Sequence, residues 1–308
     1  MIRFCQDKAD CEALWEQFTP NEAAWDDWEL MYAFHDQDRY RLNFLVHETE
    51  GQADGMIPLV EDSQDGSYEL FGGSYPENRT LWIPMAHFPE CYDALPDRTD
   101  FFDLKGSWVD SLLASHPQYA DNFRETDYQY YLVPAEFDYD FSNHIQQHFS
   151  NDKRKGFLRD LRKLRERGVE LHWSDDDESE LFVALSQKNF GAESDHATES
   201  GRQEVYRVVR ELKENGYLRT LTLSIEGAKQ ATSMSALHKG KWIALYSASN
   251  NDYDNLGKFL NVETIQEACR LRVDEVNYMT GMAWKAAWHM KQSPTRTMRK
   301  PARPAPES

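Results

Sequence analysis

Cysteine is scarce in this chain of 308 residues: the four thiols, Cys5, Cys11, Cys91 and Cys269, stand far apart without C-x-x-C spacing. That pattern excludes a cysteine metal cluster or a disulfide framework and reads as four ordinary reduced thiols. No run approaches the roughly 20 apolar residues of a membrane helix, and the opening Met1-Ile2-Arg3-Phe4-Cys5-Gln6-Asp7 lacks the apolar core of a signal peptide. The expectation is a cytoplasmic protein. His172, His196, His238 and His289 share no spacing, and neither H-x-x-x-H nor G-x-S-x-G occurs, which argues against a zinc hydrolase or a serine esterase. No metal cofactor is expected.

What is present is enough to build two compact domains, with 40% hydrophobic and 13% aromatic residues over 36.0 kDa. The net charge of −19 would on average repel nucleic acid, but it is unevenly spread. Residues 1–140 hold 8 Lys and Arg against 30 Asp and Glu, whereas the remainder holds 26 against 23. Acidity belongs to the first half, where it serves solubility.

The first half opens with an amphipathic helix carrying Leu14, Trp15 and Phe18, stopped at Thr19-Pro20, and a second from Asn21 carrying Trp25, Trp28 and Tyr32. Leu42 to His47, Gly55 to Val60 and Tyr68 to Phe71 read as a strand meander, followed by an irregular excursion over 72–100. A boundary near 140–152 divides a domain over 1–145 from one over 146–292. The proline-rich segment 293–308 reads as a disordered tail.

The second half is more informative. A basic helix from about Asn151 to Arg167 ends at Gly168, placed as a C′ residue. It leaves Phe157, Leu158, Leu161 and Leu164 to pack. An acidic patch, Ser174 to Glu180, starts the next helix. Tyr217–Ile225, Ala231–Leu237 and Trp242–Ala248 form an antiparallel meander with turns at Glu226-Gly227 and His238–Lys241. A helix capped by Asn255 or Asn261 carries Val262, Ile265, Ala268 and Cys269, and a strand through Val273, Val276 and Tyr278 returns parallel to Trp242–Ala248. The two strands can splay where the loop leaves. Gly281-Met282-Ala283-Trp284-Lys285 follows.

A meander, a glycine-containing turn at a helix start and a splayed parallel strand resemble the acyl-CoA site of the GNAT acetyltransferases. In order and spacing the chain resembles the two-domain FemAB-like (cellulose-biosynthesis-type, BioF2-like) acyltransferases. Ile57-Pro58-Leu59-Val60 with Leu70-Phe71-Gly72-Gly73-Ser74 is similar to the family's "PL…LG(G)S". Lys153 to Gly168 is similar to its "K-R-x-x-L-R-R…L…G", Asn250 to Ala268 to its "Y-x-x-x-S-P-G…L…I-x-x-A", and Gly281 to Trp288 to its "G-x-x-x-Y-K-x-x-W". The family's Ser-Pro-Gly is here Asn255-Leu256-Gly257, and its tyrosine before the lysine is Trp284. The resemblance implies an α/β fold of two tandem GNAT-like domains, each a mixed, mostly antiparallel sheet flanked by helices. It implies acyl transfer from acyl-CoA to an amine of a small metabolite, amino acid or amino sugar.

Individual roles follow. Leu256, Gly257, Lys258 and Phe259 would hold the pyrophosphate through free amides at the helix start, with Lys258 adding a cation. Lys285, among Trp284 and Trp288, would stabilise an oxyanion or a substrate phosphate. Asp252 is the candidate base and Tyr278 the candidate acid. Arg154 and Arg159 on the basic helix, with Trp284, are candidate substrate contacts. That helix reads equally as a solvated surface. The Fem branch of the family uses aminoacyl-tRNA, so tRNA is an alternative partner, although Ser186 to Gln203 is too short for that branch's helical-hairpin insertion. A catalytically silent binding module is the third reading.

Overall fold

The computed structural model describes residues 1–73 and 75–300. It divides into two compact units, one formed by Met1–Gln129 with the segment from Gln292, the other by Tyr130–Lys291.

The first unit begins with β1 (Ile2–Cys5), α1 (Lys8–Phe18) and α2 (Trp28–Phe34). Asp7 and Asp27 cap the two helices by accepting from the amides of Asp10 (3.1 Å) and Leu30 (2.9 Å), which satisfies donors that a helix start leaves orphaned. The second predicted helix thus starts at Trp28, because Ala24–Asp26 winds as a 3-10 turn. Then come β2 (Tyr40–Leu42), β3 (Phe44–Thr49), β4 (Gln52–Ile57), β5 (Leu59–Asp62) and β6 (Tyr68–Leu70). Pro58 splits the predicted Gly55–Val60 strand into β4 and β5, which serve different sheets. The 72–100 excursion contains α3 (Phe88–Ala94), and β7 (Thr99–Lys105), α4 (Gly106–Ser115) and β8 (Phe123–Leu132) follow. One sheet of this unit is β1-β3-β4, antiparallel, and another runs β2-β5-β6-β7-β14 and on to β8, where β14 is Lys291–Lys300. Its core gathers Trp15, Trp28, Phe44 and Phe71 in one cluster and Phe88, Phe101, Leu104 and Leu112 in another.

Two expectations are corrected here. The units divide after Gln129, not near residue 145. Residues 293–300, expected to be a disordered tail, form most of β14, antiparallel to β7. Thr295 and Met298 are buried, and Lys300 Nζ donates to the carbonyls of Tyr92 (2.6 Å), Asp93 (3.1 Å) and Leu95 (2.6 Å), where a cation suits the C-terminal end of α3. Ser74 and residues 301–308, the rest of that tail, lie outside the described residues.

The second unit holds α5 (Phe141–His148), α6 (Asn151–Glu166), β9 (Glu170–Ser174), α7 (Ser179–Phe190), α8 (Glu199–Glu214), β10 (Leu218–Ile225), β11 (Ala228–His238), β12 (Lys241–Ser249), α9 (Leu256–Arg270), β13 (Glu275–Asn277) and α10 (Ala283–Ala287). Its strands run β13-β12-β11-β10-β9, antiparallel except for β12 with β13. The predicted meander and parallel return are both present. Leu221, Leu223, Trp242, Phe259 and Ile265 build a core with Phe157, Leu161 and Leu164 of α6. The spacing of those three keeps one stripe inward. Leu158 falls off the stripe and is exposed, contrary to expectation. Gly168 closes the helix with φ +75°, as a C′ glycine does.

Candidate active site

β12 and β13 pair over Lys241–Ile243 against Glu275–Asn277, and there the partnership stops. β12 continues to Ser249 while β13 ends. Among the described residues no strand or bridge takes that side of β12 beyond Ile243. The register with β11 also shifts: Met234 faces Tyr246 and Ser235 faces Ala244, leaving Leu245 as the extra residue of a bulge. A bulge increases the local twist and bends its strand, so the splay is built into β12 itself.

The loop that leaves β12 is tied down at several points. Asn189 Nδ2 donates to Ser249 C=O (2.8 Å), and the Asn250 amide donates to Gln230 C=O (2.8 Å). Lys188 Nζ donates to Asn250 Oδ1 (2.7 Å) and to Asp252 (2.6 Å). Asn255 occupies the cap position of α9 in the left-handed region, φ +66°, without a side-chain cap bond. The Leu256 amide donates back to Tyr253 C=O and the Phe259 amide to Asn255 C=O. Between them, the amides of Gly257 and Lys258 have no backbone acceptor among the described residues. Gly257 is half-buried, and a Cβ there would stand 3.0 Å from Ser249 Oγ. The helix start is open, with Asp254 and Asn255 exposed. Leu256 and Phe259, expected to offer free amides, do not: both amides are already engaged and both side chains are buried in the core.

Lys258 is not a free cation. Its Nζ donates to Asp160 Oδ2 (2.9 Å) and stands 5.8 Å from the Phe157 ring. Arg159 Nη2 lies 3.6 Å from the other oxygen of the same carboxylate. The hydrogen bond from Lys258 holds the Asp160 carboxyl below its usual range. Further along α6, Arg165 pairs with Glu263 of α9 at 3.0 Å, and the Arg167 guanidinium lies 5.2 Å from the Tyr253 ring. The basic helix thus lies against the start of α9. Arg154 points elsewhere, donating to Asn151 Oδ1 (2.6 Å).

The three predicted catalytic side chains are each engaged by the protein. Asp252 is exposed, and the Lys188 ammonium lowers its carboxyl below the ordinary value. Tyr278 is buried; its O–H donates to Asn261 C=O (3.2 Å), and burial pushes the phenol well above its ordinary range. Lys285 is 5% exposed, and its Nζ donates to the carbonyls of Thr280 and Met279. It secures the 279–282 turn, in which Met279, Gly281 and Met282 all have positive φ.

The structure brings together Lys258, Arg159, Tyr278 and Trp284 around α9, linked by an aromatic chain. Trp284 meets Tyr278 (5.7 Å) and Trp288 (5.2 Å), and Trp288 meets Phe157 (5.4 Å). It does not bring Asp252 or Arg154 into that group. Sequence reasoning gave no role to Asp160 or Lys188, although Asp160 was legible as an acid inside a basic helix. A separate cleft of about 750 Å³ near the start of α7, lined by Asp176, Asp177, Glu178, Tyr206 and Lys229 among others, contains none of the predicted residues.

Residues 151–290 match the family model described as an acetyltransferase (GNAT) domain. Among solved structures the chain is similar to FemX, at 11% identity and TM-score 0.60 over 96% of both chains. It is similar to L-PGS from Bacillus licheniformis, at 13% and 0.57 over 96% of this chain and 92% of that one. A tandem GNAT protein from the clavulanic acid biosynthesis pathway aligns at 10% and 0.54 over 100% of both. No curated protein matches the chain. At these identities the structural likeness is one of fold, and it agrees with two tandem GNAT-like halves.

Proposed function

We propose that this chain is a FemAB-like acyltransferase that moves an acyl group from acyl-CoA to a small amine through its second half, which matches the GNAT domain model. The amine nitrogen attacks the thioester carbonyl, the C–N bond forms, the C–S bond breaks, and the thiolate leaves. The observation that carries this reading is the open edge of β12 from Ala244 to Ser249, which leads through the 250–255 loop to the start of α9. An unpaired strand edge offers N–H and C=O groups in a row, and the amide-containing arm of coenzyme A is an extended chain that can lie along it. The amides of Gly257 and Lys258 then meet the diphosphate.

In this reading the phosphates exchange places with Asp160 as the partner of Lys258 and Arg159. Asp252 is the exposed, ionised carboxylate that accepts the ammonium proton; its pairing with Lys188 makes it a weak base that passes the proton on to water. Tyr278 and Lys285 serve as positioning residues, the first through Asn261 and the second through the 279–282 turn.

A second reading, transfer from aminoacyl-tRNA, is favoured by the exposed cations Lys155, Arg162 and Lys163 on α6 and Arg167 at its C-terminal cap. Such binding would fall steeply with salt. Thermal melting with acetyl-CoA, longer acyl-CoAs and bulk tRNA in parallel separates the readings. A rise with an acyl-CoA supports the proposal, and a rise with tRNA alone replaces it by the second reading. No rise with any of them leaves a silent binding module.

A further inference from the structure

The first unit holds a side-chain cluster that acyl transfer does not use. His47 on β3 is buried, Asp54 lies on β4, and His87 ends the 3-10 turn Met85–His87. In the β3–β4 hairpin His47 faces Gly55 and Glu48 faces Ala53, so Asp54 is the extra residue of a β-bulge. A bulge re-aims a side chain, and here the carboxylate turns onto His47, with Oδ1 in contact with Nδ1. Its Oδ2 accepts from Thr49 Oγ1 (2.6 Å) and lies 3.8 Å from His87 Nε2. The two imidazoles stack with centroids 4.1 Å apart. The far nitrogen of His47, Nε2, stands 3.3 Å from Glu90 Oε2.

Each ring nitrogen of His47 faces a carboxylate oxygen. A carboxylate accepts and does not donate, so a neutral imidazole donates to one of the two and leaves the lone pair of its other nitrogen against an acceptor. Two lone pairs in contact repel unless a cation lies between them, and that cation is a proton or a metal ion. The third donor favours the metal. One ligand atom from each of His47, Asp54 and His87 lies within 4.8 Å of the others. Two imidazoles and a carboxylate are the donor set of zinc-class ions. Glu90 behind His47 and Thr49 behind Asp54 are the outer partners that orient metal ligands. His47 is anchored with 3% of its side chain exposed, while Asp54 at 31% and His87 at 35% leave a path from solvent.

We propose that His47 Nδ1, Asp54 and His87 Nε2 bind one divalent transition-metal ion, which ties the 85–87 turn to the β3–β4 hairpin. Three protein ligands leave a fourth position for water.

The test uses the full chain stripped with a chelator, then titrated with zinc by calorimetry and with cobalt(II) by visible absorption. One equivalent of zinc, a cobalt d–d band, and a melting temperature raised by the metal are expected. His87→Ala and Asp54→Asn should each weaken zinc binding by roughly tenfold or more, with melting in chelator close to that of the parent chain. Should either variant fold poorly, Glu90→Gln at an exposed position carries the same test with a smaller loss. Absence of zinc binding to the parent chain overturns the proposal and leaves a proton between His47 and Asp54. Binding that all the variants retain at full affinity overturns it equally, by placing the metal elsewhere.

Discussion

Each unit sends a strand through a loop and a helix to a parallel neighbour, β6 to β7 by way of α3 and β12 to β13 by way of α9, yet the two openings differ. In the first unit, β6 and β7 meet at the single pair Tyr68 and Thr99, and the chain itself fills the remaining space. Arg79 bridges to Leu104, its amide donating to Asp103 C=O (3.0 Å) and its carbonyl accepting from the Lys105 amide (2.8 Å). Its guanidinium donates to the carbonyls of Phe71, Gly73 and Pro76. In the second unit no described segment takes the corresponding edge of β12. The same crossover is closed architecture where its own loop occupies the gap, and where it does not it leaves the open edge on which the proposed donor site rests. That difference is why the donor reading attaches to the second unit alone.

The comparison can be broken most severely at the seat of α9. Phe259→Ala removes a ring with 0% exposure beneath the open helix start, and denaturant unfolding should show a loss of about 3–5 kcal/mol. A loss below about 1 kcal/mol would mean that the helix is not seated there. Next in size is Arg79→Ala, which strips three carbonyls of a charged donor and should cost about 2–3 kcal/mol while leaving acyl-CoA affinity unchanged. A loss of affinity on that change would show that the first opening is not merely architectural.

The comparison is sharpened by Gly257→Asp, which sets a carboxylate at the second opening. Calorimetry should show acyl-CoA binding weakened about tenfold or more, or ~1.4 kcal/mol, with little change in melting. Unaltered binding would move the donor elsewhere. The smallest effect is on Asp252. Lys188 depresses its folded-state pKa, so the pair's contribution is present above the unfolded carboxylate pKa and fades as pH falls through the folded value. Lys188→Ala should raise the Asp252 titration midpoint toward the ordinary range in carboxylate NMR, and an unmoved midpoint would dissolve the ion pair.

Much of the second unit was legible because its strands alternate and its turns are punctuated. Leu221, Leu223 and Ile225 face the core as spaced, Glu226-Gly227 makes the turn, and Gly168 ends α6. What stayed hidden depends on partners distant in sequence. Pro294 disguised β14, whose strand character comes from pairing with β7, and Pro58 marked a change of sheet inside what reads as one strand. At the candidate site the glycine and the helix start were visible, but the engagement of Lys258 by Asp160 spans 98 residues and leaves no local signature. Lys285 read as a cation among aromatics; that its ammonium folds back onto Thr280 and Met279 follows from three residues with positive φ that composition does not announce. His47, Asp54 and His87 escaped notice because a strand bulge and a short turn, not a helical repeat, bring them together.

The return of β14 to the first unit has a consequence for synthesis on the ribosome. Residues 292–300 fill the place between β7 and β8, two strands complete by residue 132. A nascent chain must therefore translate the whole second unit while β7 waits with one flank bare, and an unpaired flank invites mispairing.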